Sequence, residues 1–318
     1  MTPPRVCILI TAFNAQRYLD ATLESARGQT LRDLQIIVVN DGSTDATAAI
    51  LDRHARADAR IQVITQENRG IPRSANQGLA HCTAPYVARL DSDDLALPNR
   101  METQAAFLDA HPQVVCCGSD IGIIDAKGRF LTDWTLPRDD QGIQQKLLAG
   151  HCSVSHPACM IRRGALAQVG GYNEHFAMCE DLDLFLRLGE IGKLANIPQT
   201  LTHYRLHAGS ISEQRCAQER ELGRQAVEQA SRRRGVTVNF EGHTLWRPGI
   251  DRASRHAFAL QYGWWAFNSG QRRTALVYGC QAVGLQPHRV AGWKLMACAV
   301  LKSPPAAPAS LASNLERV

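Results

Sequence analysis

The sequence predicts an α/β protein: a mainly parallel sheet with helices on both faces, followed by a C-terminal helical region. Three observations carry that expectation. Short apolar, β-branched runs alternate with helix-patterned stretches from residue 5 to about residue 206. The fourth run, Tyr86-Val87-Ala88-Arg89-Leu90, ends in Asp91-Ser92-Asp93-Asp94, a carboxylate cluster at the kind of strand end where α/β sheets bind ligands. From about residue 212 onward the strand runs stop and the pattern becomes helical.

Taken in order, residues 5–11 read as a first strand, and residues 15–29 as a helix. Residues 34–39 make the second strand, closed by Asn40-Asp41-Gly42-Ser43-Thr44-Asp45. There Gly42 permits a tight turn, and Ser43 or Thr44 is placed to cap a helix reaching about residue 57. A third strand covers 61–64, a loop 66–70, a short helix 71–80, and the fourth strand 86–90. Asn99 stands ready to cap a helix over 100–110, and residues 114–124 read as a strand turning at 125–128 into another. A helix over 139–148, an apolar run over 153–161 and a break at Gly170-Gly171-Tyr172 come next. Glu180, Asp181 and Asp183 then fall in the first turn of a helix, where its dipole favours negative charge. Residues 200–206 look like a last strand, residues 219–234 like a charged amphipathic helix, and three further helical stretches follow. Trp264 and Trp265, in one of these, read as packing residues. The expected organisation is a domain over 1–215, a helical region over 216–302, and a small, Pro-rich, disordered tail over 303–318.

Composition excludes several classes. Hydrophobic residues at 45% and charged residues at 20% are ordinary for a globular protein. No G-x-G-x-x-G follows the first strand and no Walker A sequence occurs, which argues against a dinucleotide dehydrogenase and a P-loop NTPase. Ten cysteines without a C-x-x-C pair argue against zinc and suit a reducing, cytosolic setting. The N-terminus leads straight into a strand, so no signal peptide is expected, and the apolar stretch at 295–301 is far too short to span a membrane. Residues 216–318 hold 14 Lys/Arg against 6 Asp/Glu, which points either to peripheral contact with an anionic membrane surface or to a solvated helix face. Nucleic acid is not an expected partner.

Asp91 and Asp93 lie two apart at a strand end. Two carboxylates held close repel, so a hard divalent ion such as Mn²⁺ or Mg²⁺, itself gripping a diphosphate, is the natural occupant between them. An acidic turn leading into a helix is the alternative. Arg89 shares a strand face with Asp91, and a buried guanidinium needs a partner, so the two are expected to pair beneath a donor site, a purely structural ion pair with a different carboxylate being the alternative.

Several stretches together resemble the inverting family 2 glycosyltransferases of the GT-A fold, which build bacterial surface polysaccharides. They are residues 6–14, 36–45, Asn68-Arg69-Gly70, Ala75-Asn76-Gln77-Gly78, residues 88–94, His156-Pro157, Gly170-Gly171-Tyr172, residues 180–184 and Tyr204-Arg205-Leu206-His207. The resemblance covers residues 5–212 and implies a nucleotide-diphospho-sugar transferase. It would move a sugar from a nucleoside diphosphate sugar, UDP-linked by preference, to a hydroxyl of a glycan or lipid-linked acceptor. It implies donor contacts from Thr11, Phe13, Asn14, Asp41, Asn68 and Ser92 alongside Arg89 and Asp91. Phe13 is either an apolar floor for the base or a core residue, and Asp41 either a base acceptor or a turn carboxylate. Asp91 and Asp93 match the D-x-D motif that binds the cation. His207 matches a histidine that closes over the diphosphate and in some relatives ligates the metal, a solvated loop histidine being the alternative. Asp181 matches the catalytic base, with Glu180 as competitor and Asp183 ranked last. Asn40 and Thr11 depart from the residues commonest at their positions, Asp and Pro. A nucleotidyltransferase or a non-catalytic nucleotide-sugar-binding module is the alternative, disfavoured by the lysine-free stretch 11–29 and by Asp91, Asp93 and Asp181 occurring together.

Overall fold

The computed structural model describes residues 3–207, 216–242 and 251–304. Strands β1 (Val6–Ala12), β2 (Leu34–Asp41), β3 (Ile61–Gln66) and β4 (Tyr86–Arg89) alternate with helices α1 (Leu19–Arg27), α2 (Thr47–Ala57) and α3 (Ile71–His81). The chain continues through β5 (Leu95–Ala96), α4 (Arg100–Ala110), β6 (Val114–Asp125), β7 (Phe130–Trp134), α5 (Asp140–Leu148) and β8 (Met160–Arg162). Then come α6 (Arg163–Gln168), α7 (Glu180–Ile191), β9 (Lys193–Leu206), α8 (Cys216–Arg234), α9 (Arg252–Asn268), α10 (Arg272–Leu285) and α11 (Val290–Leu301).

The sheet order is β3-β2-β1-β4-β8-β6-β9-β5. The first four strands pair in parallel, as strands linked by helical crossovers must, and β8 then runs antiparallel to both β4 and β6. Side-chain alternation divides the core between the sheet's two faces. Ile8, Ile10, Ile36 and Val38 join α1, α2 and α4 on one face, while Leu9, Ile37 and Val39 join α3, α5 and α7 on the other. Ala88 and Leu90 belong to the first face and Val87 to the second, so Arg89 projects into the second.

Local chemistry moves several boundaries. Helix α1 begins at Leu19 rather than residue 15, because the N–H groups of Ala15 and Gln16 donate to Thr47 Oγ1 (2.8 Å) and Asp45 Oδ2 (3.1 Å) instead of entering a helix. Asp45, not Ser43 or Thr44, holds the start of α2, its Oδ1 accepting the Thr47 N–H at 2.9 Å. Ser43 and Thr44 are engaged by Asn14: the Asn14 N–H donates to Ser43 Oγ (3.0 Å), and Asn14 Oδ1 accepts the Thr44 N–H (2.9 Å). Asn99 precedes α4 without making a side-chain cap. Of the apolar run 153–161 only the last two residues join a strand; a 3₁₀ turn at His156–Ala158, containing Pro157, interrupts it. Strand β9 begins earlier than expected, at Lys193.

Two compact units result: Met1–Ile121 with Leu136–Tyr204 and Arg215–His243, and Gly122–Thr135 with Arg205–Gln214 and Thr244–Val318. The expected boundary after residue 215 falls beside 208–215, outside the described residues. The expected grouping also differs, because α8 packs within the first unit. Arg233 of α8 pairs with Glu190 at 2.8 Å, and Arg234 donates to the Leu186 carbonyl at 2.6 Å. In the second unit, Tyr262 stacks on Trp265 (5.5 Å), which meets Trp134 edge-on (5.9 Å). Tyr278 donates to Asp125 Oδ2 at 2.9 Å. The packing expected of Trp264 and Trp265 is thus present, with Trp264 edge-on to Phe267. Most of the predicted disordered tail, 305–318, lies outside the described residues.

Candidate active site

The end of β4 is built on two buried arginines. Arg89 is 1% exposed, and its guanidinium donates to the Leu9 carbonyl (3.0 Å), to Asp91 Oδ1 (2.9 Å) and to Thr11 Oγ1 (3.4 Å). The expected Arg89–Asp91 pair is therefore present, along with a tie to β1. Arg100, the first residue of α4, is fully buried, and its hydrogen bonds go only to neutral groups. It donates to the carbonyls of Arg89 (2.7 Å), Pro157 (2.7 Å) and Cys159 (3.2 Å) and to Gln104 Oε1 (2.9 Å). Burial brings its pKa down to about 10. Nothing in the sequence marked Arg100; an arginine opening a helix reads as a surface residue.

The turn after β4 is fixed from both sides. The Asp94 N–H donates to the Asp91 carbonyl (3.2 Å), and Thr22 Oγ1 of α1 donates to the carbonyls of Ser92 (3.0 Å) and Asp94 (2.9 Å). Asp91, Ser92 and Asp93 are left half-buried, while Asp94 is buried. Burial pushes the Asp91 carboxyl up to about 6, and the charges of Asp93 and Asp181 push it the same way against the pull of Arg89. The three carboxylates thus share one electrostatic neighbourhood with more negative charge than Arg89 offsets. That donor set, hard oxygens with a surplus of charge, fits a divalent cation. Among the described residues, no three His, Cys, Asp or Glu side chains converge as a ready cation site. His207 is half-buried, immediately before 208–215.

The loops after β1 and β2 form the neighbouring wall. Phe13 is 51% exposed, which overturns the reading of it as core and leaves its ring facing solvent at a strand end. Asn14 takes φ of 47° to stitch the two loops together. Asp41 is buried, with Oδ1 accepting from Gln66 Nε2 and the Arg69 N–H (both 2.8 Å) and Oδ2 accepting the Gly70 N–H (2.9 Å). It holds the 66–70 loop, so the turn-carboxylate role is real whatever else it contacts. Gly42 is required at that point: its φ is +74°, and a Cβ there would lie 2.6 Å from the Asn68 nitrogen. Asn68 itself is exposed, and Asn40 Oδ1 accepts the Ser43 N–H (3.2 Å), closing its own turn.

Helix α7 supplies the facing carboxylates. Asp181 is half-buried; its Oδ1 accepts the Leu182 N–H (2.8 Å), and the Cys152 thiol donates to its Oδ2 (3.3 Å). Glu180 is buried, and desolvation together with the Asp181 charge drives its carboxyl well above the usual range. Asp183 is buried against Arg187, which donates to its Oδ2 at 2.5 and 2.9 Å and to the carbonyls of Val169 (2.7 Å) and Gly171 (2.8 Å). Its last rank agrees with that structural duty.

Three short motifs prove to be one buried support. Asn76 clasps the backbone of Tyr172, donating to its carbonyl (2.8 Å) and accepting its N–H (2.9 Å). The Tyr172 hydroxyl lies 2.8 Å from His156 Nε2. Burial, reinforced by the charge of Arg89, holds His156 well below its ordinary pKa, hence neutral.

A family model described as glycosyl transferase family 2 matches residues 7–170. The amylovoran biosynthesis glycosyltransferase AmsE of Erwinia amylovora is 31% identical over 212 residues, 65% of this chain and 79% of that protein. Among solved structures, S. aureus TarS 1–349 in complex with UDP-GlcNAc aligns with a TM-score of 0.55 at 14% identity, covering 91% of each chain. The mannosyltransferase PcManGT of Pyrobaculum calidifontis, in complex with GDP-Man and Mn²⁺, aligns at 0.53 and 17% identity, covering 95% of this chain and 81% of the other. Both likenesses are of fold, and the fold is the GT-A arrangement expected from the sequence. No helix among the described residues is long and apolar enough to cross a membrane.

Proposed function

The chain belongs to glycosyl transferase family 2, an enzyme that moves a sugar from a nucleotide sugar, and from that premise we propose an inverting, cation-assisted mechanism at the β4 and α7 carboxylates. The supporting observation is that Asp91 feels the charges of both Asp93 and Asp181, although these come from separate elements. Inversion needs this arrangement, because the acceptor hydroxyl attacks from the face opposite the departing diphosphate. Asp181, half-exposed beside the buried Glu180, takes the hydroxyl proton as general base. Asp93 and the Oδ2 oxygen of Asp91 would hold Mn²⁺ or Mg²⁺, whose chemistry is to neutralise charge gathering on the leaving nucleoside diphosphate. Arg89 orients Asp91 by occupying its other oxygen. Phe13 offers an exposed ring to the base, and Thr11, Asn14, Asp41, Asn68 and Ser92 line the donor side.

A UDP-sugar is the favoured donor, in keeping with the UDP-GlcNAc named in one structural neighbour, although the other names GDP-Man. The acceptor is a hydroxyl of a glycan or of a lipid-linked glycan, reached at a membrane surface to which the basic C-terminal region holds the protein peripherally. The test is calorimetric donor screening with Mn²⁺, followed by assay of nucleoside diphosphate release. Release that requires acceptor supports transfer; release of pyrophosphate, or no turnover with any tight-binding donor, overturns it.

A further inference from the structure

Helix α11 is apolar on both sides. Gly292, Leu295, Cys298 and Ala299 are buried inward, as a packed helix requires. Outward it exposes Val290 (75%), Trp293 (52%), Val300 (57%) and Leu301 (81%). These outward residues recur at helical spacing, with exposed Ala297 between them, so they form one continuous stripe rather than scattered apolar positions. The Trp293 Nε1–H donates to the Pro287 carbonyl at 3.0 Å, so its polar atom is already bonded within the chain and the half-exposed ring meets solvent. Exposed Arg289, Lys294 and Lys302 flank the stripe. Across residues 251–304 there are seven Lys/Arg and a single acid, Asp251.

An apolar stripe with a half-exposed tryptophan and a basic margin is the composition of a helix that lies in the headgroup layer of an anionic bilayer. At 12 residues, about 18 Å by the helical rise, α11 can lie along such a layer but cannot cross it. The basic run Arg232-Arg233-Arg234 is a weaker candidate, because Arg233 and Arg234 are already engaged with α7 and α5 through Glu190, the Leu186 carbonyl and Gln144. A second copy of this chain is a poor occupant for α11, since it would set like charge against like. We propose that the outer face of α11 docks the protein on a membrane surface rich in anionic lipid. This gives a location to the membrane contact proposed above and rests on that reading, not on the catalytic one.

The test is flotation of the full chain with vesicles of phosphatidylcholine alone or with phosphatidylglycerol, at low and high salt. The expected result is binding to the anionic vesicles only, weakened by salt. Lys294→Glu with Lys302→Glu should weaken partition at least tenfold, at about fivefold per basic residue near such a surface, and Trp293→Ser should do so comparably, all with unchanged far-ultraviolet circular dichroism. Equal binding to neutral vesicles, no binding at low salt, or variants that partition like the parent overturns the proposal. So does binding that appears only after residues 305–318 are deleted, which makes that segment the occupant. A dimer that Trp293→Ser dissociates makes a second copy the occupant and overturns it likewise. Transfer to a soluble acceptor is measured alongside: its loss in the parent with docking intact breaks the transferase reading alone, and the reverse breaks the docking alone.

Discussion

The two carboxylate pairs of the site differ in what surrounds them. Asp91 and Asp93 end a strand, with Arg89 hydrogen-bonded to Asp91 from below. Glu180 and Asp181 open a helix, where the hydrogen bonds come from a backbone N–H and a thiol. The first pair sets its carboxylates beside the fixed charge of Arg89. The second is split, with Glu180 buried and its carboxyl pushed up by desolvation, and Asp181 half-exposed and hydrogen-bonded. Identical functional groups thus stand in different surroundings, and the proposed mechanism gives them different work: one pair to hold a cation, the other to accept a proton.

That contrast breaks most visibly at Asp181. Asp181→Asn should lower kcat by about 10²–10⁴ while donor affinity stays near the parent value. Glu180→Gln, which keeps the size of the buried side chain without a charge, should retain most activity. Steady-state kinetics of the two variants decide it, and a dead Glu180→Gln beside an active Asp181→Asn reverses the assignment. Asp93→Ala should remove cation-dependent donor binding, at least about 100-fold by calorimetry, since a lost ligand forfeits several kcal/mol of charge stabilisation. Full activity in EDTA would contradict a cation at that pair.

Arg89→Met tests whether the arginine serves the donor or only the fold. Leaving Asp91 unpaired should cost about 3 kcal/mol of stability by denaturant titration and, in the molecules that remain folded, lower donor and cation affinity about tenfold. Unchanged affinity per folded molecule would make the pair purely structural. The pH dependence sharpens the same point. Asp91 is held up to about 6, so it gains a proton as pH falls through that value, and cation affinity should fall below pH 6 by up to tenfold per unit. In Arg89→Met the fall should begin at higher pH, because the interaction favouring the charged form is gone. The smallest effect is expected at Cys152→Ala, a few-fold in kcat with donor binding unchanged, as a thiol is a weak donor to Asp181.

What was legible in the sequence was local. Period-two alternation placed the strands, and the same alternation put Arg89 and Asp91 on one side of β4. The helical pattern foretold α9, α10 and α11. Chain-distant contacts were not legible. Asn76, Tyr172 and His156 were visible as motif pieces, but not as one hydrogen-bonded support, since the residues lie far apart in sequence. The first helix was drawn too long because nothing near Ala15 reveals that Thr47 will take its N–H. Helix α8 was assigned by its position after residue 215, whereas its packing follows Arg233 and Arg234 to α7.

Arg100 carries a consequence for how the site comes into being. Its guanidinium is shared between the carbonyl of Arg89, 11 residues earlier, and those of Pro157 and Cys159, 57 and 59 residues later. Until that later segment arrives, those N–H groups must stay in water; once it arrives, they can be sealed from it. A half-assembled strand end would bury an unanswered charge, which is the least favourable of the three conditions. Closure of the β4 turn and insertion of β8 are therefore a single event that waits on distant chain, and the amides around Asp94 and Met160 should open to exchange together.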